Sequence, residues 1–564
     1  MNEAISAALG AAVHQLYGMT VVPQLSRPES RFGDVATNVA MQVAGRVKQP
    51  PREVAEALAT SLRQVPDIAD VTVAGPGFLN VRLRDGALAA AWSVHPAQRY
   101  AKQAIVTEYS DPNPFKVLHA GHLYTTLVGD SISRLIEAGG GQVHRVNFGG
   151  DVGLHVGKTM WGILQHFDDA RDEKIALFGI NVMADIPLAN KATFLSLRYV
   201  EGTTAYEEDS AAKTAITEYN RRVYELHAQN DHESDFARVY WMCRQWSYDA
   251  FDELYEQLQV TPFEKYYPES LTTPRGVETV TQGLADGVFE TSDGAVVYRG
   301  EAAGLHTRVF LNSQGLPTYE TKDLGLSLHK WNDYHFDRNI IITGNDIIEY
   351  MKVVLMALGQ VHPEASARTT HLTHGQIKLA GGIKMSSRKG NALQADDVLS
   401  AAADAQYAAV GDRDQRVILA AVKYALLKQR LGGDIVYDPV ESVSLRGDSG
   451  PYLQYAHARA CSVVAKCTVA ADSLAEPSFD EHERPLAQKL AAYPEVLNSA
   501  VQDLTPHTIC TYLYELAQVS NRFYEQARVA GDPREVVRLA LVMRYRDTLA
   551  HGLGMLGIAA PERL

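Results

Sequence analysis

The sequence predicts a multidomain α/β protein in which a parallel-sheet domain lies between an N-terminal α+β module and a C-terminal all-α domain. Its 564 residues exceed what a single hydrophobic core organises. From Ala104 onward, strand-like and helix-like segments alternate, which is typical of a parallel sheet with crossover helices. After about Val436 the strand signals fade, and helical periodicity continues to the C-terminus. We therefore predict domains over residues 1–98, 99–435 and 436–564.

The N-terminal module is predicted to combine helices with short strands. Residues 1–17 have the periodicity of an amphipathic helix, and a second, Ala/Val-rich helix is expected over residues 35–47. Residues 70–83 alternate in polarity around Gly75-Pro76-Gly77, which predicts two strands joined by a turn.

The central domain is predicted to contain two strand–helix units separated by a polar helical insertion near residues 155–260. In the first unit a helix lies between two strands and ends at Gly139-Gly140-Gly141. In the second, a buried strand is followed by a helix. The predicted elements are a strand at 104–109, a helix at 121–138, a strand at 142–148, a strand at 339–343 and a helix at 347–358.

The last long helix of the C-terminal domain carries clear boundary signals. Asp532 is expected at the N-cap, with Pro533 at the first helical position and Glu535 completing a capping box. Gly552 and Gly554 are expected to end it.

Composition is that of an ordinary globular protein, with 46% hydrophobic and 21% charged residues. No run of about 18 apolar residues predicts a membrane span, and the first residues lack a secretory signal. The four cysteines have no metal-ligand spacing and are expected to be reduced thiols of a cytoplasmic protein. A net charge of −14 argues only weakly against a nucleic-acid partner, because a local basic face decides such binding.

The segment His119-Ala120-Gly121-His122 joins the first predicted strand to its helix. The strand delivers Glu108 and Ser110 to the carboxyl edge of the sheet, where open α/β folds bind ligands. Gly121 lets a ligand approach the helix N-terminus, which favours anions, and the two imidazoles can donate to phosphate oxygens. The alternative is a pair of structural histidines at a helix start.

A second segment, Lys384–Asn391, combines three cations, two hydroxyls and a glycine within eight residues. Such a loop can close over a triphosphate, with Lys384 neutralising the pyrophosphate leaving group. Taken alone, it also fits an exposed basic turn.

Together and in this order, the two segments resemble the signature motifs of class I aminoacyl-tRNA synthetases. Further segments resemble the arginyl-tRNA synthetase family and span nearly the whole chain. They are residues 32–34, 75–80, 110–122, 315–324, 451–459 and 547–563. The resemblance implies a Rossmann-like catalytic domain, an N-terminal module that contacts tRNA and a helical domain that binds the anticodon.

The arginine pocket can be considered physically as well as by resemblance. A guanidinium is planar and always charged, so a selective pocket needs carboxylates, for which Glu108 and Asp323 are the candidates, with Tyr319 beside them. Resemblance assigns the pocket to Glu108, Ser110, Asn113, His119, Tyr319, Asp323 and Asp346. The glutamine that the family often has near Asn345-Asp346 is missing, and either residue can make a comparable polar contact.

The resemblance also implies the other site residues. The ATP-binding positions are His119, Gly121, His122, Lys384, Met385, Ser386 and Ser387, and the catalytic ones are Lys116, His119, His122 and Lys384. Lys116 and Lys384 are expected to share the phosphate contacts. The tRNA contacts are assigned to Asn80, Tyr452 and Arg459. Mg²⁺ is expected with ATP, and no protein-bound metal site is predicted.

The predicted activity is that of an arginine–tRNA ligase. By resemblance, L-arginine reacts with ATP to give arginyl-adenylate, and the arginyl group is transferred to the terminal adenosine 2′-hydroxyl of tRNA(Arg). The expected enzyme is a cytoplasmic monomer with no membrane partner. Two alternatives are a class I synthetase for another amino acid and a catalytically silent tRNA-binding relative.

Overall fold

The computed structural model describes residues 2–165, 183, 185–380, 393–469 and 477–564. The predicted ATP-binding residues Lys384, Met385, Ser386 and Ser387 lie outside the described residues. The strands are β1 Leu25–Ser26, β2 Val35–Thr37, β3 Ile68–Ala74, β4 Phe78–Leu83, β5 Ala104–Glu108, β6 Gln142–Gly149, β7 Lys265–Pro268, β8 Glu290–Ser292, β9 Ala295–Tyr298, β10 Arg308–Leu311, β11 Arg338–Gly344, β12 Thr369–His374, β13 Ile377–Leu379 and β14 Ile435–Tyr437.

The helices of the first two thirds of the chain are α1 Asn2–Tyr17, α2 Val39–Val47, α3 Pro51–Leu62, α4 Asp85–Ala90, α5 Ala120–Ala138, α6 Leu154–Gln165, α7 Leu188–Glu208, α8 Ser210–Gln229, α9 Asp235–Gln257, α10 Glu269–Ala285, α11 Tyr319–Tyr334, α12 Ile348–Val361 and α13 Pro363–Ala367. Those that follow are α14 Ala395–Val410, α15 Gln415–Leu427, α16 Pro439–Ser442, α17 Gly450–Val464, α18 Arg484–Asp503, α19 Pro506–Gln526 and α20 Glu535–Met555. Among the described residues, no helix is both long and apolar enough to cross a membrane.

The central sheet has five parallel strands in the order β12-β11-β5-β6-β7. If these five strands are numbered 1 to 5 along the chain and read from the β7 edge, the order is 3-2-1-4-5, the arrangement of a Rossmann-like fold. The central strand β5 is buried along most of its length, as are residues 339–342 of β11, which is expected for a parallel sheet covered by helices. The strand order reverses between β5 and β11, so a ligand crevice is expected at the carboxyl ends of these two strands. The predicted fold class is confirmed.

The N-terminal module packs α1, α2 and α3 on an antiparallel sheet of order β1-β2-β4-β3. The helix predicted over residues 35–47 is wrong at its start, because Val35–Thr37 pairs with β4 as a strand and the helix begins at Val39. The β-branched side chains of Val35 and Thr37 favour a strand at this position between β1 and β4. The predicted turn between β3 and β4 is present, and Gly75 and Gly77 both have positive φ there, at 52° and 140°.

The predicted helical insertion corresponds to α6–α9, which lie between β6 and β7. A small antiparallel sheet of β8, β9 and β10 follows α10 and was not predicted. It joins α10 to α11, and these two helices pack together beside the carboxyl end of the central sheet.

The C-terminal part is helical, but α20 differs from the predicted boundaries. It begins at Glu535, whose carboxylate accepts from the Gly531 amide at 2.6 Å and therefore closes the preceding turn. The prediction that Gly552 and Gly554 end the helix is wrong, because both lie within it. A Cβ at Gly552 would lie 2.6 Å from a side-chain carbon of Leu513 on α19, so close helix packing explains this glycine.

The N-terminal module docks on α18 through a buried carboxylate. The Asp34 side chain has no exposed surface, and its Oδ2 accepts from Arg484 Nη2 at 2.8 Å and from the Leu83 amide at 2.6 Å. Its Oδ1 accepts from Gln488 Nε2 at 2.6 Å. The Phe32-Gly33-Asp34 segment therefore fixes the module to the helical domain.

Candidate active site

The loop after β5 lies at the point where the strand order reverses. Three non-glycine residues in it, Ser110, Asp111 and Phe115, have positive φ values of 75°, 49° and 68°. Such conformations persist only where the surroundings impose them, and they are concentrated at functional sites. Here the Phe115 amide donates to Ser247 at 2.9 Å, and the Phe115 ring stacks on Tyr240 with centroids 5.4 Å apart.

Polar groups of this loop are held by neighbouring elements. The buried Ser110 hydroxyl hydrogen-bonds with Tyr255 at 2.8 Å and accepts from Thr126 at 2.8 Å. Asn113 Oδ1 accepts from the Gly150 amide at 2.9 Å, which leaves the Asn113 amide group to act as a donor. The predicted arginine-site residues Ser110 and Asn113 are therefore brought to one crevice and oriented there.

The two predicted histidines stack at the N-terminus of α5. Their ring centroids are 3.6 Å apart, and His122 Nδ1 accepts from the His119 backbone amide at 3.2 Å. Burial lowers the pKa of both, and each is lowered further by the Lys116 charge. His122 is therefore neutral near pH 7 with its proton on Nε2, where it is a hydrogen-bond donor. A Cβ at Gly121 would lie 2.8 Å from the His119 ring, so the stack requires glycine.

Lys116 lies beside these histidines. Its ammonium group is 5.3 Å from the Tyr199 ring centroid, and burial is the main cause that lowers its pKa. The structure thus brings a cation and two imidazoles to the helix N-terminus, a combination suited to a phosphate chain.

Carboxylates form the other side of the crevice. Glu108 ends β5 and forms an ion pair with Lys330 of α11, and the side chains of both are almost completely buried. Asp323, on the same helix, accepts from the Tyr350 hydroxyl. Burial, with the charges of Glu108 and Glu269, raises the pKa of Asp323 to about 7. The part of this rise that comes from neighbouring carboxylates would be offset by an incoming cation.

Asp111 belongs to the same acidic cluster. Its side chain accepts from the Phe148 amide at 2.8 Å, and its pKa is raised well above the usual range by burial and by the Glu108 charge.

Tyr319 stands at the rim of the crevice, with 59% of its surface exposed. The ammonium of Lys322 lies 5.1 Å from its ring centroid and is paired with buried Glu269 at 2.5 Å. Tyr319 and Asp323 are four residues apart on α11, so both face the same side of the helix.

Asp346 lies nearer the histidines. It is exposed after β11, and burial lowers the pKa of His119 and His374 while the Asp346 charge partly offsets this lowering. Tyr350, one helical turn further on, is the residue of this segment that contacts Asp323. The sequence reasoning considered only Asn345 and Asp346; the four-residue spacing from Asp346 was the available signal for Tyr350.

The chain that follows the second motif segment lies beside the first motif segment. Although residues 381–392 lie outside the described part, the chain re-enters it at Leu393, whose carbonyl accepts from the Ala120 amide at 2.6 Å. The Ala395 amide donates to the Leu118 carbonyl at 3.0 Å. Leu393 and Ala395, which follow the predicted lysine segment in the chain, therefore lie against the start of α5.

The predicted tRNA residues lie far from this crevice and in two domains. Tyr452 and Arg459 share one face of α17 with exposed Tyr455, at spacings of three and seven residues. The Tyr452 hydroxyl accepts from Asn521 at 2.8 Å, and Arg459 is exposed over the Tyr524 ring at 4.8 Å. Asn80 is buried in β4, so it presents little surface to an RNA.

No group of three or more His, Cys, Asp or Glu side chains that could hold a metal ion occurs in the described ranges. The acidic residues of the crevice are instead paired with protein donors, as Glu108 is with Lys330.

Comparison with known proteins agrees with this geometry. A family model of tRNA synthetases class I (R), catalytic domain, matches residues 87–439. The chain therefore carries the catalytic domain of a class I aminoacyl-tRNA synthetase. A DALR anticodon binding domain matches residues 453–564, and an arginyl tRNA synthetase N terminal domain matches residues 1–83.

Whole-chain relatives narrow the class further. The chain is 28% identical to an arginine–tRNA ligase of Phocaeicola vulgatus over 100% of both chains, and 31% identical to one of Porphyromonas gingivalis over 82% of this chain and 80% of that one. The chain belongs to the arginyl-tRNA synthetase family. The arginyl-tRNA synthetase structure of Thermus thermophilus shares the fold, with a TM-score of 0.76 and 24% identity over 100% of both chains. The prediction of an arginine–tRNA ligase is confirmed.

Proposed function

We propose that this chain reads L-arginine with the carboxylates of Glu108 and Asp323, activates it with ATP and transfers it to tRNA(Arg). The observation that carries the proposal is the acidic cluster at the carboxyl end of β5, opposite the stacked histidines. A guanidinium matches two carboxylates because it offers donors in a planar fork. Tyr319 at the rim is suited to pack on the flat face of the same group.

The amino-acid end of arginine would be held by the loop after β5. Asn113 has its amide donors available for the substrate carboxylate, because its oxygen already accepts from Gly150. Ser110 and Asp346 complete the proposed set from opposite sides of the crevice. The substrate carboxylate would then point toward the histidines.

The chemistry needs no protein nucleophile. An oxygen of the arginine carboxylate attacks the α-phosphorus of ATP, and pyrophosphate leaves with the bonding electron pair. The neutral imidazoles of His119 and His122 and the ammonium of Lys116 stabilise the charge that develops on the phosphate oxygens. Catalysis is therefore positioning and electrostatic stabilisation.

In the second step, the terminal adenosine 2′-hydroxyl attacks the carbonyl carbon of arginyl-adenylate. An ester bond forms, AMP leaves, and the hydroxyl proton is lost. Lys384, Met385, Ser386 and Ser387 remain the predicted partners of the ATP phosphates, together with Gly121 at the start of α5. The anchoring of Leu393 beside Ala120 supports that placement.

Mg²⁺ would neutralise phosphate charge while bound to ATP itself. The N-terminus of α5, with His119, His122 and Lys116 beside it, is suited to the phosphate chain that would carry this ion.

The tRNA would be bound by both outer domains. The exposed face of α17 with Tyr452 and Arg459 offers an aromatic ring and a cation to anticodon nucleotides. The N-terminal module, including the predicted Asn80 strand, is proposed to meet the tRNA elbow. We further propose a monomer that works in the cytoplasm, where its four free cysteines would remain reduced.

The test is ATP–pyrophosphate exchange across the twenty amino acids, with and without tRNA(Arg). Arginine-dependent exchange is expected, stimulated by tRNA. Exchange with lysine or leucine but not arginine would point to a synthetase for another amino acid. Specific tRNA binding without any exchange would identify a silent relative.

Asp323→Ala sharpens the test of the pocket. It is expected to raise the arginine KM by about 100-fold or more while the ATP KM changes by less than about 2-fold, because a buried carboxylate that pairs with a charged ligand contributes several kcal/mol. The matched control is Asp333→Ala. Asp333 lies on the same helix, but its carboxylate pairs with Lys265 at 2.6 Å and not with a residue of the acidic cluster. An unchanged arginine KM in Asp323→Ala would remove this residue from the pocket.

A further inference from the structure

We propose that Lys330 is a positioning residue for arginine recognition: it holds one carboxylate oxygen of Glu108 so that the other oxygen is presented to the substrate guanidinium. The inference rests on the proposed role of Glu108 in reading arginine. Lys330 belongs to neither motif segment, and sequence reasoning did not single it out.

The geometry of the pair is the first support. Glu108 ends the strand at the centre of the sheet, whereas Lys330 comes from α11, 222 positions further along the chain. The Lys330 ammonium meets Oε2 of Glu108, and the two side chains are 0% and 3% exposed. This contact uses Oε2, which leaves Oε1 of Glu108 to accept from a second donor.

The surroundings make each partner depend on the other. The layer between α11 and the sheet is apolar, with Val106, Val146 and Leu326 buried in one cluster. Neither charge can be solvated there, and an unpaired buried charge is strongly unfavourable. Loss of the ammonium would therefore leave the buried Glu108 carboxylate without its partner and no longer held in a position to bind a guanidinium.

The charge of Lys330 also reaches the rest of the acidic cluster. It lowers the pKa of both Asp111 and Asp323, which the Glu108 charge raises. The charged and titratable groups that face one another here are Glu108, Asp111, Glu269, Asp323, Lys330 and Tyr350. Lys330 and Lys322, which pairs with Glu269, stand against four carboxylates, so the cluster stays negative and a cationic substrate is still attracted.

The position of Lys330 on α11 links it to the substrate side. Tyr319, Asp323 and Lys330 follow one another at spacings of four and seven residues, which places all three on one face of the helix. The same helix thus presents a reading carboxylate and the cation that orients the other one.

The test is a double-mutant cycle on the full-length enzyme, with arginine and ATP KM values from pyrophosphate exchange in the presence of tRNA(Arg). Lys330→Met removes the charge and keeps the chain length. It is expected to raise the arginine KM by about 30-fold or more and the ATP KM by less than about 2-fold, because a buried acid loses its partner. Lys330→Arg, which keeps the charge, should restore most of the arginine affinity.

The second arm of the cycle asks whether Lys330 acts through Glu108. In a Glu108→Gln background, Lys330→Met should add less than about 3-fold to the arginine KM, since the two changes remove the same interaction. This doubly neutral pair also keeps the test available if Lys330→Met does not fold. Lys423→Met is the control. Lys423, on α15, is equally buried but donates to the Gly557 carbonyl at 2.5 Å.

The outcomes separate the inference from the function on which it rests. If Glu108→Gln leaves the arginine KM unchanged, the proposed role of Glu108 fails. If Glu108→Gln raises it but Lys330→Met does not, or if the two effects are additive, the positioning role of Lys330 is overturned. Equal rises in the arginine and ATP KM values, matched by Lys423→Met, would show a structural role only.

Discussion

Arginine should bind more tightly as the pH rises from 6 to 8, because Asp323 must be ionised to pair with the guanidinium. Burial and the charges of Glu108 and Glu269 raise the pKa of Asp323 to about 7, against the opposing effects of the Tyr350 hydrogen bond and the Lys330 charge. The guanidinium stays charged throughout this range. Burial lowers the pKa of His119 and lowers that of His122 well below its usual range, which favours the neutral form of both imidazoles.

The size of the effect follows from the ionised fraction. With a pKa of about 7, Asp323 is roughly 10% ionised at pH 6, half ionised at pH 7 and roughly 90% ionised at pH 8. The apparent Kd is the intrinsic Kd divided by the competent fraction, so arginine should bind about 10-fold more weakly at pH 6 than at pH 8. At pH 7 about half a proton should be released for each arginine bound.

Isothermal titration calorimetry of arginine binding at pH 6, 7 and 8 measures the slope, and buffers of different ionisation enthalpy measure the released proton. Asp323→Asn should bind arginine weakly with a Kd that hardly changes over the same range. The variant also separates Asp323 from Asp111, whose pKa is raised too. A wild-type Kd that is constant from pH 6 to 8, or an Asp323→Asn variant that keeps the wild-type slope, would refute the reasoning.

Two further predictions concern packing. Arg484→Met leaves the buried Asp34 carboxylate without its cation and should lower the free energy of unfolding, measured by urea denaturation, by about 3–5 kcal/mol. Arg27→Met breaks a partly exposed pair between the same domains and should lower it by about 0–1 kcal/mol. Equal losses in the two variants would contradict the structural role given to the buried Asp34–Arg484 pair. In Gly150→Ala, the new Cβ would lie 2.5 Å from Asn113 Oδ1. The arginine KM in pyrophosphate exchange should then rise about 10-fold with little change in Tm. An unchanged KM would show that Asn113 does not orient the substrate.

The sequence alone determined the main elements around the site. Apolar periodicity predicted β5, α5 and β6 to within one or two residues, because strands buried on both faces and a core-facing helix leave strong local patterns. The two histidines and Gly121 were found for the same reason, since their chemistry is contained in four consecutive residues. Where tertiary pairing overrides local preference the prediction failed, as at Val35–Thr37, which β4 draws into a sheet.

Only the tertiary structure decided how the charges of the site are satisfied. The sequence offers Glu108 and Asp323 as carboxylates, but it does not show that Lys330 pairs with the first or that Tyr350 donates to the second. Lys330 is 222 positions from Glu108 along the chain, and Tyr350 is 27 positions from Asp323. Their pairing follows from the strand order that puts β5 beside β11. Local sequence patterns record burial and periodicity, whereas electrostatic partnership depends on distances that exist only after the chain has folded.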